Sequence, residues 1–235
     1  MPENKIHILA TRQLSAQLID EITEADLLID VVPFIDTIPI QTIEVQQEIE
    51  QAYLLSTTVV FTSMNAVEAV ATWQYDQQPD WIIYCTGATT KRLAGEYFGE
   101  ENIAGTADSA ADLAELIAES ADTDDVIFFC GNHRRDELPE MLQQQGINVQ
   151  EIIVYETIQL PAKITKSYHG IMFFSPSAVT SFFKNNKLAD KTIVFAIGAT
   201  TAKEIKTYTT NKIIIAEEPS AEEMIRSVLE YFGHY

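Results

Sequence analysis

Small hydroxyl and amide side chains recur in this sequence wherever an apolar run of strand type gives way to a helical pattern. They are Thr11, Thr62, Ser63, Asn65, Thr89, Thr90, Ser109, Asn132, Ser175, Ser177, Thr200, Thr201 and Ser220. Gly131 and Pro176 sit in the same turns. Singly, each hydroxyl or amide is what a helix N-cap requires. Together, N-caps and the free N–H groups of helix first turns form a receptor for an anion with several charges. Arg12, Lys91, Arg92, Arg134, Arg135 and Lys203 lie at or just past these turns, although the chain has only 15 Lys and Arg. On a solvated face such residues need no ligand; around a cleft they add charge to the receptor.

Against them stand 35 Asp and Glu, for a net charge of −20. Such a balance repels phosphate backbones and anionic lipid, which excludes general nucleic-acid or membrane-surface binding. The acid lies in runs at 100–101, 122–125 and 217–218. Screening over about 8–10 Å hides distant charge from a cleft, so one particular anion remains compatible. No apolar run approaches the ~18 residues of a membrane span, and residues 1–5 lead into no signal-peptide core. A cytoplasmic protein is expected. Cys85 and Cys130 end strand-type runs and read as buried, reduced thiols. His7, His133, His169 and His234 share no ligand spacing with each other or with cysteine, so no metal is expected. Neither G-x-G-x-x-G nor G-x-x-x-x-G-K occurs, and neither Ser63 nor Ser175 lies in G-x-S-x-G. A phosphatase loop begun at Cys130 would need arginine where Asp136 stands.

The elements that must position these residues are duplicated. Trp81-Ile82-Ile83-Tyr84-Cys85-Thr86-Gly87-Ala88-Thr89-Thr90 returns 111 residues later as Thr192-Ile193-Val194-Phe195-Ala196-Ile197-Gly198-Ala199-Thr200-Thr201. Residues 57–118 are replayed from 170 onward, with Ser63 matched by Ser175 and the capping Ser109 by Ser220. Each half reads strand, helix, long strand, then strand, helix, glycine corner, helix, strand, capped helix. The long runs are 27–34, continuing past Pro33 toward Pro39, and 149–158, closed by Pro161. They read as crossings between lobes, because proline cannot donate within a central strand. With crossings at about 29–39 and 152–161, one lobe combines 1–34 with 160–235 and the other is 35–159. Repeated βα alternation implies parallel sheets covered by helices on both faces. The expected architecture is α/β: two flavodoxin-like lobes with parallel sheets, joined by a two-stranded linker, a segment-exchanged internal repeat whose corners face one another.

Val60-Phe61-Thr62-Ser63, Gly87-Ala88-Thr89-Thr90, Phe129-Cys130-Gly131-Asn132, Val154-Tyr155-Glu156-Thr157, Phe173-Phe174-Ser175-Pro176-Ser177 and Ala196-Ile197-Gly198-Ala199-Thr200-Thr201, in this order over nearly the whole chain, resemble the uroporphyrinogen-III synthase family. The resemblance implies two α/β lobes joined by a two-stranded ladder. It also implies cofactor-free cyclisation of hydroxymethylbilane, a linear polycarboxylate tetrapyrrole, to uroporphyrinogen III in the haem pathway. Loss of the substrate's hydroxyl as water would leave an electrophilic methylene pyrrole. The terminal ring would then attack through its substituted carbon, and the spiro intermediate would reopen and reclose with ring D inverted. The residues that carry over are Tyr155, the threonines of both glycine corners, and the Ser63 and Ser175 corners. Tyr155, the one phenol near a corner on a crossing strand, is the candidate proton donor; a packing tyrosine is the other reading. Gln13 and Met64 stand where family members often have proline, which bears on local loop shape. The enzyme is expected to act as a monomer, closing by a hinge on its small-molecule substrate. The alternative is a two-lobed cytoplasmic anion-binding protein without catalysis.

Overall fold

β-Branched and aromatic residues dominate the runs that become strands, and each run stops near a hydroxyl, glycine or proline. The computed structural model describes residues 5–73, 78–120 and 123–233. Asp122 of the acidic run and His234 lie outside them. The chain divides into two compact units, one made of Met1–Asp36 with Ile158–Tyr235 (unit 1) and one of Thr37–Thr157 (unit 2).

Unit 1 opens with β1 (His7–Ala10), α1 (Ala16–Glu24) and β2 (Leu28–Val31). It resumes with β9 (Gly170–Phe173), α7 (Pro176–Asn185), β10 (Ile193–Ala196), α8 (Ala199–Ile205), β11 (Ile213–Ile215) and α9 (Ala221–Phe232). Unit 2 carries α2 (Ile43–Tyr53), β4 (Thr57–Phe61), α3 (Met64–Ala71), β5 (Trp81–Thr86) and α4 (Ala88–Phe98). A short 3-10 turn leads into β6 (Ile103–Ala107), followed by α5 (Ala110–Ser120), β7 (Asp125–Gly131) and α6 (Glu137–Gln144). Two further strands, β3 (Ile35–Pro39) and β8 (Asn148–Gln159), have the unit boundary running through them.

The sheet of unit 1 has the order β11-β10-β9-β1-β2, all parallel. Read in chain order this is the 2-1-3-4-5 arrangement of flavodoxin-like sheets. The other sheet has the order β3-β8-β7-β4-β5-β6, and its pairs from β8 to β6 are parallel. The 111-residue repeat equates β4, β5 and β6 with β9, β10 and β11. With β7 and β8 taken as the counterparts of β1 and β2, the two sheets share one spatial order. They differ in where the chain enters, which is what an offset between repeat and unit produces.

Both faces of each sheet are covered, and the side-chain alternation of strands sorts the residues between them. In unit 2, Val59, Phe61, Ile83, Cys85, Ile127 and Phe129 join one apolar cluster. Val60, Tyr84, Val126, Phe128 and Cys130 join the other. In unit 1, Ile8, Ala10, Met172 and Phe195 pack on one face, and Leu9, Ile171, Phe173 and Val194 on the opposite one. Trp81 is 2% exposed and donates its Nε1–H to the Ala52 carbonyl at 2.9 Å. Its burial contributes roughly 1.5–3 kcal/mol without leaving a polar atom unsatisfied.

The run expected as one long strand over 27–39 is two strands. Val32, Pro33 and Phe34 separate them: Val32 N–H donates to the Ala10 carbonyl and Phe34 N–H to that of Thr11. Pro33 has no donor to continue either ladder. The counterpart run contains no internal proline and stays whole as the twelve-residue β8.

Candidate functional site

In an open parallel sheet, ligands sit beyond the carboxyl ends of the strands where the chain reverses its direction of travel across the sheet. Unit 2 runs outward from β4 through β5 to β6, then returns to β7 on the other side of β4. The turns after β4 and β7 therefore part, and a pocket of about 410 Å³ opens between them. Thr62 and Ser63, which follow β4, line it with Thr86, Ser109, Gly131, Arg134 and Tyr155. Asp108, His133, Arg135 and Glu137 complete its polar wall.

Tyr155 is half-buried and its ring lies across Gly131. A Cβ on Gly131 would fall 2.4 Å from Cζ and 2.8 Å from the phenol oxygen of Tyr155, so only glycine admits the ring there. The register between β7 and β8 slips after Cys130, and the slip brings Tyr155 opposite Gly131. Asn132 fixes the backbone that carries Tyr155: its N–H donates to the Tyr155 carbonyl at 3.2 Å, and its Oδ1 accepts from Thr157 N–H at 3.0 Å. The Tyr155 hydroxyl itself makes no hydrogen bond among the described residues, which leaves an O–H donor in the pocket.

Ser63 caps α3, accepting from Asn65 N–H at 3.2 Å. Capping occupies an oxygen lone pair and leaves the hydroxyl proton to offer. Ser109 differs. It accepts from Asp112 N–H at 3.1 Å and donates its own proton to Asp112 Oδ2 at 2.7 Å. In a full capping box a longer Glu reaches the cap's backbone N–H instead. Arg134 is also engaged, bonded through Nε to Glu151 and through Nη1 to Asp136. Those bonds, Glu151 first, hold its guanidinium above the ordinary arginine value. The freer cation in the pocket wall is the exposed Arg135, which the sequence placed among corner bases without a site role.

The equivalent reversal in unit 1 lies between β1 and β9, where Thr11, Arg12, Ser175, Pro176 and Ser177 fall. Thr11 is fully buried and donates to the Met172 carbonyl at 2.8 Å, tying two strand ends together. Arg12 is exposed, with its guanidinium 4.7 Å from the Phe174 ring centroid. Desolvation lowers its pKa from the ordinary value, opposed by Glu222. Ser175 caps α7, accepting from Ala178 N–H at 3.1 Å. Pro176 fits the first turn, where its fixed φ costs nothing.

The glycine corners stand one strand farther out than these reversals, and they are not alike. Gly87 adopts φ +73°, a conformation that side chains disfavour, whereas Gly198 is extended at φ −176°. Neither cap position makes a side-chain hydrogen bond to its helix. Thr89 and Thr200 are exposed, but Thr90 and Thr201 are buried. Thr90 shares a helix face with buried Leu93 and Ala94, and Thr201 with Ile205, a phase legible in the sequence. Thr86, at the end of β5, is the residue from this corner that reaches the pocket. His133 and Arg135 follow the carboxyl end of β7, and that position is the signal that could have included them.

Cys130 is buried, and desolvation, aided by Glu151, pushes its thiol up to about 12. Burial raises Cys85 as well. Neither is a nucleophile at neutral pH. No group of three or more His, Cys, Asp and Glu able to hold a metal occurs among the described residues. Nor is any helix among them long and apolar enough to cross a membrane.

Known proteins resemble this chain along most of its length. The curated uroporphyrinogen-III synthase of Saccharomyces cerevisiae is 23% identical over 211 residues, covering 75% of this chain and 76% of the yeast protein. The solved uroporphyrinogen-III synthetase of Helicobacter pylori has a TM-score of 0.68 at 17% identity, covering 96% of this chain and 99% of its own. A mutant uroporphyrinogen III synthase from Thermus thermophilus has a TM-score of 0.67 at 12% identity, covering 96% and 98%. At those identities the structural likeness is one of fold. The profile of the family described as uroporphyrinogen-III synthase HemD matches residues 16–226, from the first residue of α1 to the middle of α9. By that match, the chain belongs to the uroporphyrinogen-III synthase family.

Proposed function

We propose that this chain closes hydroxymethylbilane to uroporphyrinogen III, with inversion of ring D and loss of water, and that the pocket between β4 and β7 takes part. The observation that carries the reading is the unpaired Tyr155 phenol held over Gly131 in the pocket that Ser63 also lines. Departure of the substrate hydroxyl as water requires a proton. A positioned phenol supplies one, for a typical contribution of 10²–10⁴ in rate. Substrate carboxylates are taken up by hydroxyls and first-turn N–H groups, the Ser63 and Ser175 corners foremost, with Thr62, Asn65, Ser177, Thr89 and Thr200 as further donors. Arg12 and Arg135 add charge. Thr11, Thr90, Ser109, Asn132, Arg134 and Thr201 act by holding the corners in shape, since their polar groups are buried or already engaged. Unassisted closure gives the uninverted isomer, so positioning of the terminal ring decides the product. The same reading has the protein act without a cofactor, as a cytoplasmic monomer, on a small molecule rather than on a nucleic acid or a membrane. The net charge of −20 is in keeping with this.

The test is to incubate the protein with hydroxymethylbilane, oxidise, and separate the uroporphyrin isomers. Isomer III in excess is expected, whereas isomer I alone would mean that the chain binds anions without this catalysis. Tyr155→Phe should lower kcat by ~10²–10⁴ with KM little changed. Wild-type turnover in that variant removes Tyr155 as donor. Modest losses spread over many corner residues would instead favour binding by distributed N–H groups.

A further inference from the structure

Charge is segregated in this chain. Of its 15 Lys and Arg, eight fall within residues 163–212, where the acidic residues are Asp190 and Glu204 alone. The segment carries +6 in a chain of −20, so the remainder carries −26. Five of the eight, at 163, 166, 184, 187 and 191, lie on the loop before β9, at the end of α7 or on the loop before β10. Together these mark the amino edge of the unit 1 sheet, opposite Ser175, Ser177 and Thr200.

Two adjoining concavities of about 490 and 430 Å³ lie there, sharing Phe183, Asn186 and Lys187. Their apolar surface is Phe183, Leu188 and Tyr208. Phe183 and Tyr208 stack with centroids 4.7 Å apart and planes 3° from parallel, and Tyr208 remains 44% exposed. Lys163, Lys184 and Lys187 line the same hollows, are exposed, and form no ion pair among the described residues. Lys166, by contrast, is paired with Asp30 at 2.9 Å. The rim is preorganised: Asn186 Nδ2 donates to the Ala162 and Phe182 carbonyls, each at 2.8 Å, and its Oδ1 accepts from Ile164 N–H at 2.7 Å. Binding here would order little backbone that is not already fixed.

We infer that this lysine-rimmed aromatic surface docks a short acidic polypeptide segment bearing an aromatic or aliphatic side chain. Three exposed lysines match a few carboxylates, and the stacked rings match one apolar anchor. Extended polyanions are disfavoured, because a long nucleic acid or an anionic bilayer would also meet the −26 of the remaining chain. The electrostatic part of the contact is a rim effect, so it sets on-rate and salt dependence more than ultimate affinity.

The experiment uses the full chain and a short fluorescein-labelled peptide of glutamates interrupted by tryptophan, with binding read by anisotropy at two salt concentrations. Saturable binding that weakens with salt is expected. Charge reversal in Lys163→Glu/Lys184→Glu/Lys187→Glu should weaken it at least about tenfold. Circular dichroism and the rate of isomer III formation should not change, since these residues lie apart from the corners. Replacing the tryptophans of the peptide by glycine should also weaken binding. Amide chemical shifts of residues 183–188 should move when peptide is added to the unaltered protein, which keeps the test independent of the variant. No binding by the unaltered protein, or equal binding by the charge-reversed one, overturns the proposal. So does equal binding of oligo-dT or of phosphatidylserine vesicles, which would show a nonselective basic patch.

Discussion

Substituting Gly131→Ala tests whether the Tyr155 phenol must occupy its observed position. The added methyl carbon would sit 2.4 Å from Cζ, 2.6 Å from Cε2 and 2.8 Å from the phenol oxygen. Carbon atoms rest at about 3.5–4.0 Å, so the ring must retreat by roughly 1 Å. The contact is with the tip of a side chain that can swing. The backbone need not move, and the stability loss should stay near ~1 kcal/mol, at the low end for overpacking. Catalysis is less forgiving: a displacement of about 1 Å can cost 10²-fold when a reacting group must be aligned. The expected variant is therefore folded, melts a few degrees lower, and forms isomer III about 10²-fold more slowly, with isomer I rising as unassisted closure competes. Isomer-resolved chromatography after oxidation reads the rate, and a thermal melt reads the fold. Wild-type kcat/KM in a folded Gly131→Ala protein would refute the idea that the phenol acts from over this glycine.

The two glycine corners should respond differently despite their matching sequence. Gly87→Ala forces a side chain into φ +73° and should cost about 1–2 kcal/mol, while extended Gly198→Ala, with nothing within 4 Å of the new methyl, should stay within ~0.5 kcal/mol in urea melts. In unit 1, hydrogen bonds from Lys166 at 2.9 Å and Tyr168 at 2.7 Å hold the Asp30 carboxyl below its usual range. A depressed carboxylate contributes stability that is present above its unfolded pKa, near ~4, and is lost as pH falls through the lower folded value. Asp30→Asn should thus lower the melting temperature at neutral pH and flatten its decline in acid; an unchanged acid limb would dismiss the clamp. Cys130, with its thiol pushed up to about 12, should resist thiol reagents in the native protein at pH 8 and react only on unfolding.

Much of the architecture is local in origin, and so it could be read. Alternating apolar residues, glycine and hydroxyl stops and the 111-residue repeat mark the strands, helices and corners, because each depends on neighbours a few positions away. The split between β2 and β3 has one local sign, Pro33, set within an otherwise continuous apolar run. The candidate site is legible as a set of corners, of which Ser63, Gly131, Arg134 and Tyr155 line one pocket. What escaped depends on residues far apart in sequence. Arg134, in the turn after β7, is paired with Glu151 of β8, Thr11 is spent on Met172, and Gly131 makes room for a ring 24 positions on. The repeated glycines lie one strand away from the reversals, since strand order, and not strand identity, decides where the chain reverses.

The boundary between the units runs through β3 and β8. Residues 37–157 leave the ribosome before β9 exists, so the sheet of unit 2 has all its strands, bar the end of β8, while unit 1 holds only β1 and β2. The first-made strand thus keeps one flank unpaired on the nascent chain until residues 170–173 arrive to cover it, and the unit begun first is finished last.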